Sequence, residues 1–291
     1  MKILVTGSAG QLGVAICRTF ASDCAVKSKT RDELDLTERE SVKAVVRDER
    51  PDVILNCAAY NAVDTAEDQV ERALAVNAFG VLSLAEEAAS IGATLVHYSS
   101  DFVFDGTVIR PYFEVDEPNP TGVYAISKLL GEWFSREASH YTLRVESLFG
   151  GGAESPKLAS SLGGSLDRMA DQMLSGVTVS AFVDRTVSLS YVEDVAWATR
   201  ELLRISPLNG LYHCVGTGSA TWFEVANELA QCLDVRTEIK PITLTERALR
   251  VSRPQYCSLS NEKLASVGVS MPRWQDALAR YASRRLGLDS E

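Results

Sequence analysis

Apolar residues along this chain occur in two kinds of segment: short continuous runs, and longer stretches in which they recur at helical spacing. Short apolar runs such as Lys2–Thr6 end in turn residues, and longer segments such as Gln11–Phe20 repeat apolar side chains at helical spacing. The same pattern predicts further strands at 25–27, 52–56, 94–98 and 141–145, and further helices at about 37–49, 67–90 and 192–205. Strands that alternate with such helices indicate an α/β fold with a doubly wound parallel sheet, the Rossmann arrangement, which binds ligands beyond the carboxyl ends of its strands.

The regular alternation fades after about residue 146. Glycines at 150–152 and 163–164, and prolines at 241, 254 and 272, mark an irregular region. We therefore predict a Rossmann domain from residues 1–146 plus about 177–207, and a smaller, mainly C-terminal lobe from about 147–176 plus 208–291. The capping-box spacing of Thr37 and Glu40 predicts the start of the second helix.

Charge and composition narrow the class of partner. The formal charge of −10 over 291 residues argues against a nucleic-acid partner, which would need a basic face. The six cysteines are scattered without the spacing of a metal site or a disulfide framework, which favours a reducing compartment. The sequence has neither a signal-peptide pattern nor an apolar run of ~18 residues. We expect a cytoplasmic protein with no metal site and no membrane partner.

A glycine-rich turn follows the first strand and leads into a helix. Gly7, Gly10 and Gly13 have the spacing that allows a tight turn, close approach of a pyrophosphate to backbone N–H groups, and close helix packing. The acidic residue expected after the second strand is replaced by Lys-Ser-Lys-Thr-Arg at 27–31. Such cations suit the 2′-phosphate of NADPH better than NADH, although a solvated basic loop is the alternative. Asp35 is a candidate acceptor for the adenine amino group.

A tyrosine and a lysine four residues apart are the candidate catalytic pair. On a helix, Tyr124 and Lys128 lie on one face, and Ser100 ends the fourth strand ahead of them. Alone, such residues are more often a core tyrosine and a solvated lysine. After a dinucleotide turn, the same residues predict carbonyl reduction with Tyr124 as acid, its pKa lowered by the Lys128 ammonium and the nicotinamide charge.

The chain resembles the extended short-chain dehydrogenase/reductases, and among them the dTDP-4-dehydrorhamnose reductase family. The resemblance covers nearly the whole chain. Its matching stretches are residues 7–13, 35–37, 50–60, 62–64, 66–67, 76–77, 98–106, 111–114, 118, 124–128, 131–132, 210–213, 221–222 and 253–254.

The resemblance implies NADPH-dependent reduction of the 4-keto group of a nucleotide-linked 6-deoxysugar, with NADH as a second cofactor and a homodimer as an expectation. It implies catalytic roles for Ser100, Tyr124 and Lys128. The implied cofactor-binding residues are Gly7, Gly10, Gln11, Leu12, Gly13, Thr30, Arg31, Asp35, Leu36, Ala58, Ala59, Tyr60, Asn77 and Lys128. The implied substrate-binding residues are Val63, Ser100, Asp101, Phe102, Tyr124 and Arg253.

Because of two departures from the family pattern, the sequence does not identify the sugar of the substrate. Phe102 stands where relatives have tyrosine, and Ser147 stands where they have a substrate-facing tryptophan.

Two other functions stay open: an NDP-sugar epimerase or dehydratase with retained NAD, and a non-catalytic regulatory subunit that binds cofactor. His97 is interpreted as a packed core histidine. Trp222 is interpreted as a packing residue and as a minor candidate for contact with the substrate.

Overall fold

The computed structural model describes residues 1–151, 164–247 and 250–288; Gly152 and Gly163 of the irregular region lie outside them. The strands are β1 Lys2–Thr6, β2 Ala25–Lys29, β3 Val53–Asn56, β4 Thr94–Ser100, β5 Ser139–Val145, β6 Leu148–Phe149, β7 Val179–Phe182, β8 Thr186–Val187, β9 Ser190–Tyr191, β10 Gly210–His213, β11 Ala220–Thr221 and β12 Ile239–Ile242. The helices are α1 Gln11–Phe20, α2 Arg39–Glu49, α3 Val63–Ala66, α4 Val70–Leu74, α5 Gly80–Ile91, α6 Val123–Phe134, α7 Ser165–Leu174, α8 Val192–Ile205, α9 Trp222–Cys232, α10 Glu262–Ser266 and α11 Trp274–Arg285. A π-helical turn, Ala75–Phe79, joins α4 to α5, and short 3₁₀ turns lie at Asp101–Val103, Ser135–Glu137 and Leu244–Glu246.

Six parallel strands form the central sheet in the order β10-β5-β4-β3-β1-β2. The chain builds outward from β1 to β2, returns across the sheet to β3, and then continues in the other direction. The topological switch point therefore lies between β1 and β3, where open α/β sheets bind their ligands. The predicted doubly wound fold is confirmed.

Alternation along β1 explains why helices cover both faces of the sheet. Ile3 and Val5 belong to a buried cluster with α1 and α8, whereas Leu4 belongs to a cluster with α2 and α5 on the opposite face. Successive side chains of a strand point to opposite sides, so an all-apolar strand needs cover on both. The helix predicted at 192–205 is confirmed as α8.

The long helix predicted at about 67–90 runs from Val70 to Ile91 and contains the π-helical turn. Among the described residues it is the one helix that is long and apolar enough to pass for a membrane span. Val81 and Leu84 pack against the sheet, as core helix residues do.

The capping box predicted at Thr37 is wrong. Helix α2 begins at Arg39 with Glu38 as its N-cap, and no side chain caps it. The Thr37 hydroxyl and backbone N–H both donate to a carboxylate oxygen of Asp35. That nearer acceptor competes for the threonine that would have capped the helix.

A second buried cluster defines the smaller lobe. It joins helices α7, α9 and α11 with the short strands β7 to β9 and includes Phe149, Trp222, Trp274 and Tyr281. The predicted domain boundaries as a whole remain a prediction, but two segments lie elsewhere. Strand β10 pairs with β5 in the central sheet, and β7 packs in the lobe, because pairing and burial decide the layer of a strand rather than its place in the sequence.

Candidate functional site

The glycine-rich turn lies at the switch point and leaves no room for side chains. Gly7 has a φ of +63°, and a Cβ there would lie 2.6 Å from the backbone of Ala58 after β3. A Cβ on Gly13 would lie 2.3 Å from the carbonyl oxygen of Gly7. Helix α1 starts immediately after Gly10, with its N–H groups facing the turn. The residues therefore fit a dinucleotide pyrophosphate, which needs bare backbone and a helix N-terminus.

A cavity of about 280 Å³ continues from the turn toward the end of β2. The residues that line it include Gly7, Gly10, Arg31, Leu34, Asp35, Leu36, Ala58, Ala59, Tyr60, Arg72 and Val76. Most of the predicted cofactor-binding residues thus meet in one place. Thr30 instead donates to the carboxylate of Glu33, through its N–H at 2.7 Å and its hydroxyl at 2.8 Å.

Arg72 is a cavity residue that the sequence reasoning missed. It comes from α4, far along the chain from Arg31, and no local motif marks it. Backbone and side-chain hydrogen bonds from Thr37, with the charges of Arg31 and Arg72, lower the pKa of Asp35. Two arginines and one ionised carboxylate therefore surround the place predicted for the adenosine end of the cofactor.

Asn77 lies behind this cavity and links the loop after β3 to helix α6. Its side chain accepts from the N–H of Tyr60 at 2.8 Å and donates to the carbonyl oxygen of Tyr60 at 3.0 Å. It also donates to the hydroxyl of Ser127 on α6 at 3.0 Å. Asn77 is buried on the π-helical turn, so this turn positions the loop after β3 against the helix of Tyr124.

The three predicted catalytic residues meet in a cleft of about 540 Å³, within the range of ligand-binding pockets. Ser100 ends β4, and Tyr124 and Lys128 project from α6. Their exposed fractions are 6%, 9% and 3%. The Lys128 ammonium donates to the carbonyl oxygen of Tyr98 at 2.6 Å. The fold thus brings together residues that are up to 28 positions apart in the sequence.

Burial sets the protonation of the pair. It raises the pKa of Tyr124 to about 12, with Asp101 adding to the rise and a hydrogen bond with Ser100 opposing it. Burial also lowers the pKa of Lys128 to about 8, while Glu132 opposes this shift. In the protein without cofactor, burial therefore outweighs the lowering of the Tyr124 pKa that was predicted from Lys128 and the nicotinamide charge. Without ligand, desolvation dominates and the phenol keeps its proton.

The substrate side of the cleft is lined by side chains from several separate segments. The Arg253 guanidinium donates to Asp64 at 2.6 Å and lies over the ring of Phe102, 5.9 Å from its centroid. Arg185 approaches the same ring at 5.8 Å. Phe102 in turn meets the Tyr124 ring edge-on, with centroids 5.5 Å apart.

Several of these cleft residues were not assigned from the sequence. Arg168 and Arg185 were missed, because neither belongs to a motif and each is far from Tyr124 in the chain. Val63, Ser147 and Trp222, which the sequence analysis did name, also line the cleft. Cationic side chains in a chain of net charge −10 indicate that this cleft accepts an anion.

His97 is buried beneath the site and has the structural role predicted for it. Its Nδ1 lies 3.1 Å from the amide nitrogen of Asn56, and burial lowers its pKa well below the ordinary value. A neutral, enclosed imidazole packs in the sheet core and does not reach the cleft.

Comparisons with known proteins agree with this geometry. The RmlD substrate binding domain family matches residues 1–286. A dTDP-4-dehydrorhamnose reductase of Burkholderia thailandensis is 34% identical, over 96% of this chain and 97% of the relative. The spore coat polysaccharide biosynthesis protein SpsK of Bacillus subtilis is 30% identical over 98% of each chain.

A solved structure extends the likeness to three dimensions. The dTDP-4-dehydrorhamnose reductase of Bacillus anthracis in complex with NADP superposes with a TM-score of 0.89, at 29% identity, over 96% of this chain and 98% of that one. The resemblance seen in the sequence is thereby confirmed: the chain belongs to the dTDP-4-dehydrorhamnose reductase family.

Proposed function

We propose that the protein is an NADPH-dependent reductase of the 4-keto group of a nucleotide-linked 6-deoxysugar. The observation that carries this proposal is the meeting of Ser100, Tyr124 and Lys128 in one cleft beside the glycine-rich turn. A hydroxyl, a phenol and an ammonium can together bind a carbonyl oxygen and protonate it. Relatives that bear the name dTDP-4-dehydrorhamnose reductase support the substrate class.

Each residue of the site would have its own role in carbonyl reduction. NADPH, when bound, supplies the hydride. The turn from Gly7 to Gly13 would hold its pyrophosphate, and Lys128 its nicotinamide ribose. Ser100, whose hydroxyl donates to Asp101 in the protein alone, would turn to donate a hydrogen bond to the substrate carbonyl, and Tyr124 would give its phenolic proton to the same oxygen. The raised pKa of Tyr124 keeps that proton in place at neutral pH until it is needed. The Lys128 cation, one helical turn away, then stabilises the phenolate.

The arginines explain why the sugar would carry a nucleotide. Arg185 and Arg253 both approach the ring of Phe102, and Arg168 lines the same cleft from α7. A guanidinium binds phosphate oxygens in a bidentate manner, so a diphosphate is the chemistry that these side chains recognise best. The sugar would then reach Tyr124 past Phe102 and Ser147.

Spectrophotometric assay of NADPH oxidation against a panel of nucleotide-linked 4-keto sugars tests the proposal. We expect Tyr124→Phe to lower kcat by about 10²- to 10⁴-fold, the usual contribution of a general acid, while NADPH still binds. Tyr141→Phe is the matched control, because Tyr141 is also buried and hydrogen-bonded but lies in the core of the sheet. An unchanged rate in Tyr124→Phe would reject the assignment.

The same experiment addresses the two other functions. Tightly retained NAD, with no net oxidation of NADPH, would indicate an epimerase or dehydratase. Cofactor binding without turnover of any sugar would indicate a regulatory subunit.

We also propose a homodimer in the cytoplasm. Phe79, Ile126 and Trp133 are exposed on α6 and the adjoining π-helical turn, and the Phe79 and Phe134 rings stack at 6.0 Å. Exposed apolar patches of this kind commonly mark protein interfaces. All six cysteines are free thiols, which suits a reducing compartment. Light scattering after gel filtration should give the mass of two chains, and Trp133→Glu should shift it toward one.

A further inference from the structure

The helix that carries Tyr124 has no cap of its own. Gly122 occupies the N-cap position of α6, with a φ of +93°, and has no side chain that could accept from the first N–H groups. The first turn, residues 123–126, is described in full and contains no acidic residue. A helix N-terminus has unpaired N–H groups and a partial positive charge, so a negatively charged acceptor stabilises it. In α6 that acceptor comes from another element.

Glu67, which directly follows α3, supplies the acceptor. Its Oε1 accepts from the N–H of Val123, the first residue of α6, at 2.7 Å. A Cβ on Gly122 would lie 2.9 Å from the same oxygen, so the glycine also makes room for the carboxylate. A hydrogen bond to a charged acceptor is roughly twice as strong as one between neutral groups. Because Val123 directly precedes Tyr124, this bond holds the backbone next to the proposed acid.

The ring of Tyr124 packs against the helices on either side of Glu67. Ala66 of α3 and Ala73 of α4 are fully buried and belong to one apolar cluster with Tyr124. Both helices contact α6. The backbone beside Tyr124 and the ring of Tyr124 are therefore supported by the same short stretch of chain, with Glu67 at its centre.

Asp64, three residues before Glu67, holds the segment that carries Arg253. Its Oδ2 accepts from the Arg253 guanidinium at 2.6 Å, and its Oδ1 accepts from the N–H of Val251 at 3.3 Å. A Cβ on Gly122 would lie 3.1 Å from a methyl group of Val251, so this segment adjoins the start of α6. Residues three apart in a helical turn lie on the same face. One turn of helix thus joins Arg253 to the catalytic helix.

We propose that Glu67 and Asp64 are positioning residues that fix the separation between the phenol of Tyr124 and the guanidinium of Arg253. This inference rests on the proposed reductase function, in which Tyr124 protonates the keto oxygen at C4 and Arg253 binds the diphosphate at C1. These two carbons lie on opposite sides of a pyranose ring, so both groups must be held one sugar ring apart. Each carboxylate acts through the residue that it holds.

Steady-state kinetics with a nucleotide-linked 4-keto sugar tests the role of Glu67. Glu67→Ala should lower kcat by about 10- to 100-fold with KM near wild type, because a displacement of ~1 Å costs up to about 100-fold. Glu67→Gln keeps an oxygen that accepts from Val123, so it should restore most of kcat. The solvent deuterium isotope effect on kcat should rise in Glu67→Ala, because proton transfer from a displaced phenol is slower, and should fall again in Glu67→Gln.

The same assay tests Asp64 through a different constant. Asp64→Ala should raise KM by roughly ten-fold, the cost of about one charged hydrogen bond, and leave kcat near wild type. With a 4-keto sugar that has no diphosphate, the effect of Asp64→Ala on kcat/KM should vanish, because Arg253 has nothing to bind. The effect of Glu67→Ala on kcat should persist with that sugar.

Asp68→Ala is the matched control. Asp68 is the neighbour of Glu67 and also pairs with an arginine of the same segment, but both Asp68 and Arg250 are exposed. This variant should leave kcat and KM near wild type. A wild-type kcat in Glu67→Ala, or an equal loss of kcat in Glu67→Ala and Glu67→Gln, would overturn the role of Glu67. An equal loss of kcat/KM with both sugars in Asp64→Ala would overturn the role of Asp64.

Amide hydrogen exchange without any sugar separates this proposal from the proposed function. The N–H groups at the start of α6 should exchange faster in Glu67→Ala than in wild type, return to the wild-type rate in Glu67→Gln, and leave the rest of α6 unchanged. If this pattern is found but no keto sugar is reduced, the proposed function fails while the placement of α6 by Glu67 stands. If sugar is reduced with equal exchange and equal kcat in all three proteins, the placement fails while the reductase function stands.

Discussion

The two sides of the cleft are built in different ways. The cofactor side consists mainly of closely packed backbone, with positions such as Gly7 and Gly13 where only glycine fits. The substrate side consists of long side chains, among them Phe102 and Arg253, that come from segments far apart in the chain. A backbone cradle tolerates almost no change, whereas a side-chain wall can be altered without unfolding the protein. We therefore expect substitutions in the backbone cradle to abolish binding, and substitutions in the side-chain wall only to change its affinity.

The largest effect is expected at the backbone cradle. In Gly7→Ala the new Cβ would lie 2.6 Å from the Ala58 backbone at a φ of +63°, so strand ends must shift. Strain of about 2–3 kcal/mol corresponds to roughly a 100-fold weaker Kd for NADPH, measured by fluorescence titration. Gly92→Ala is the control, because Gly92 has a φ of +71° but a Cβ there would meet nothing within 4 Å. Equal NADPH affinity in the two variants would contradict the role of close approach.

A smaller and more selective effect is expected on the substrate side. Arg253→Leu keeps apolar bulk beside Phe102 but removes the charge that faces the cleft and pairs with Asp64. Loss of a charged hydrogen bond costs about 1.5–3 kcal/mol, so KM for the nucleotide sugar should rise roughly 10- to 100-fold. The Kd for NADPH should not change. Arg250→Leu, which removes an exposed ion pair with Asp68, should leave both constants near wild type.

The smallest effect should separate the two nicotinamide cofactors. Arg31→Ala and Arg72→Ala each remove a cation from the cavity after β2, so each should raise KM for NADPH by about ten-fold. KM for NADH should change far less, because it lacks the 2′-phosphate. Arg39→Ala is a control on the outer surface, where Arg39 pairs with Glu86. A similar rise in KM for both cofactors would mean that these arginines do not bind the 2′-phosphate.

The sequence was most informative where function depends on neighbours along the chain. The turn from Gly7 to Gly13, and the Tyr124–Lys128 spacing, are local patterns whose geometry follows from strand, turn and helix. The apolar strand runs predicted the doubly wound sheet for the same reason, because a run that is apolar on both faces needs helices on both sides.

Predictions from sequence failed where competing contacts decide the outcome. Thr37 bonds Asp35 rather than capping α2, and strand β10, which was predicted to lie in the lobe, joins the central sheet. The pKa of Tyr124 was expected to fall beside Lys128 and the nicotinamide charge, and in the protein alone burial raises it. Each outcome depends on desolvation or on partners that are distant in the chain.

By itself, then, the sequence determined the fold class and predicted the cofactor turn and the catalytic roles of Ser100, Tyr124 and Lys128, because these depend on short-range periodicity and motif spacing. Only the tertiary structure brought Arg72, Arg168 and Arg185 to the site. These three belong to no motif; they matter because the fold places charged groups from separate elements in one poorly solvated region, where distance and burial set what each group does.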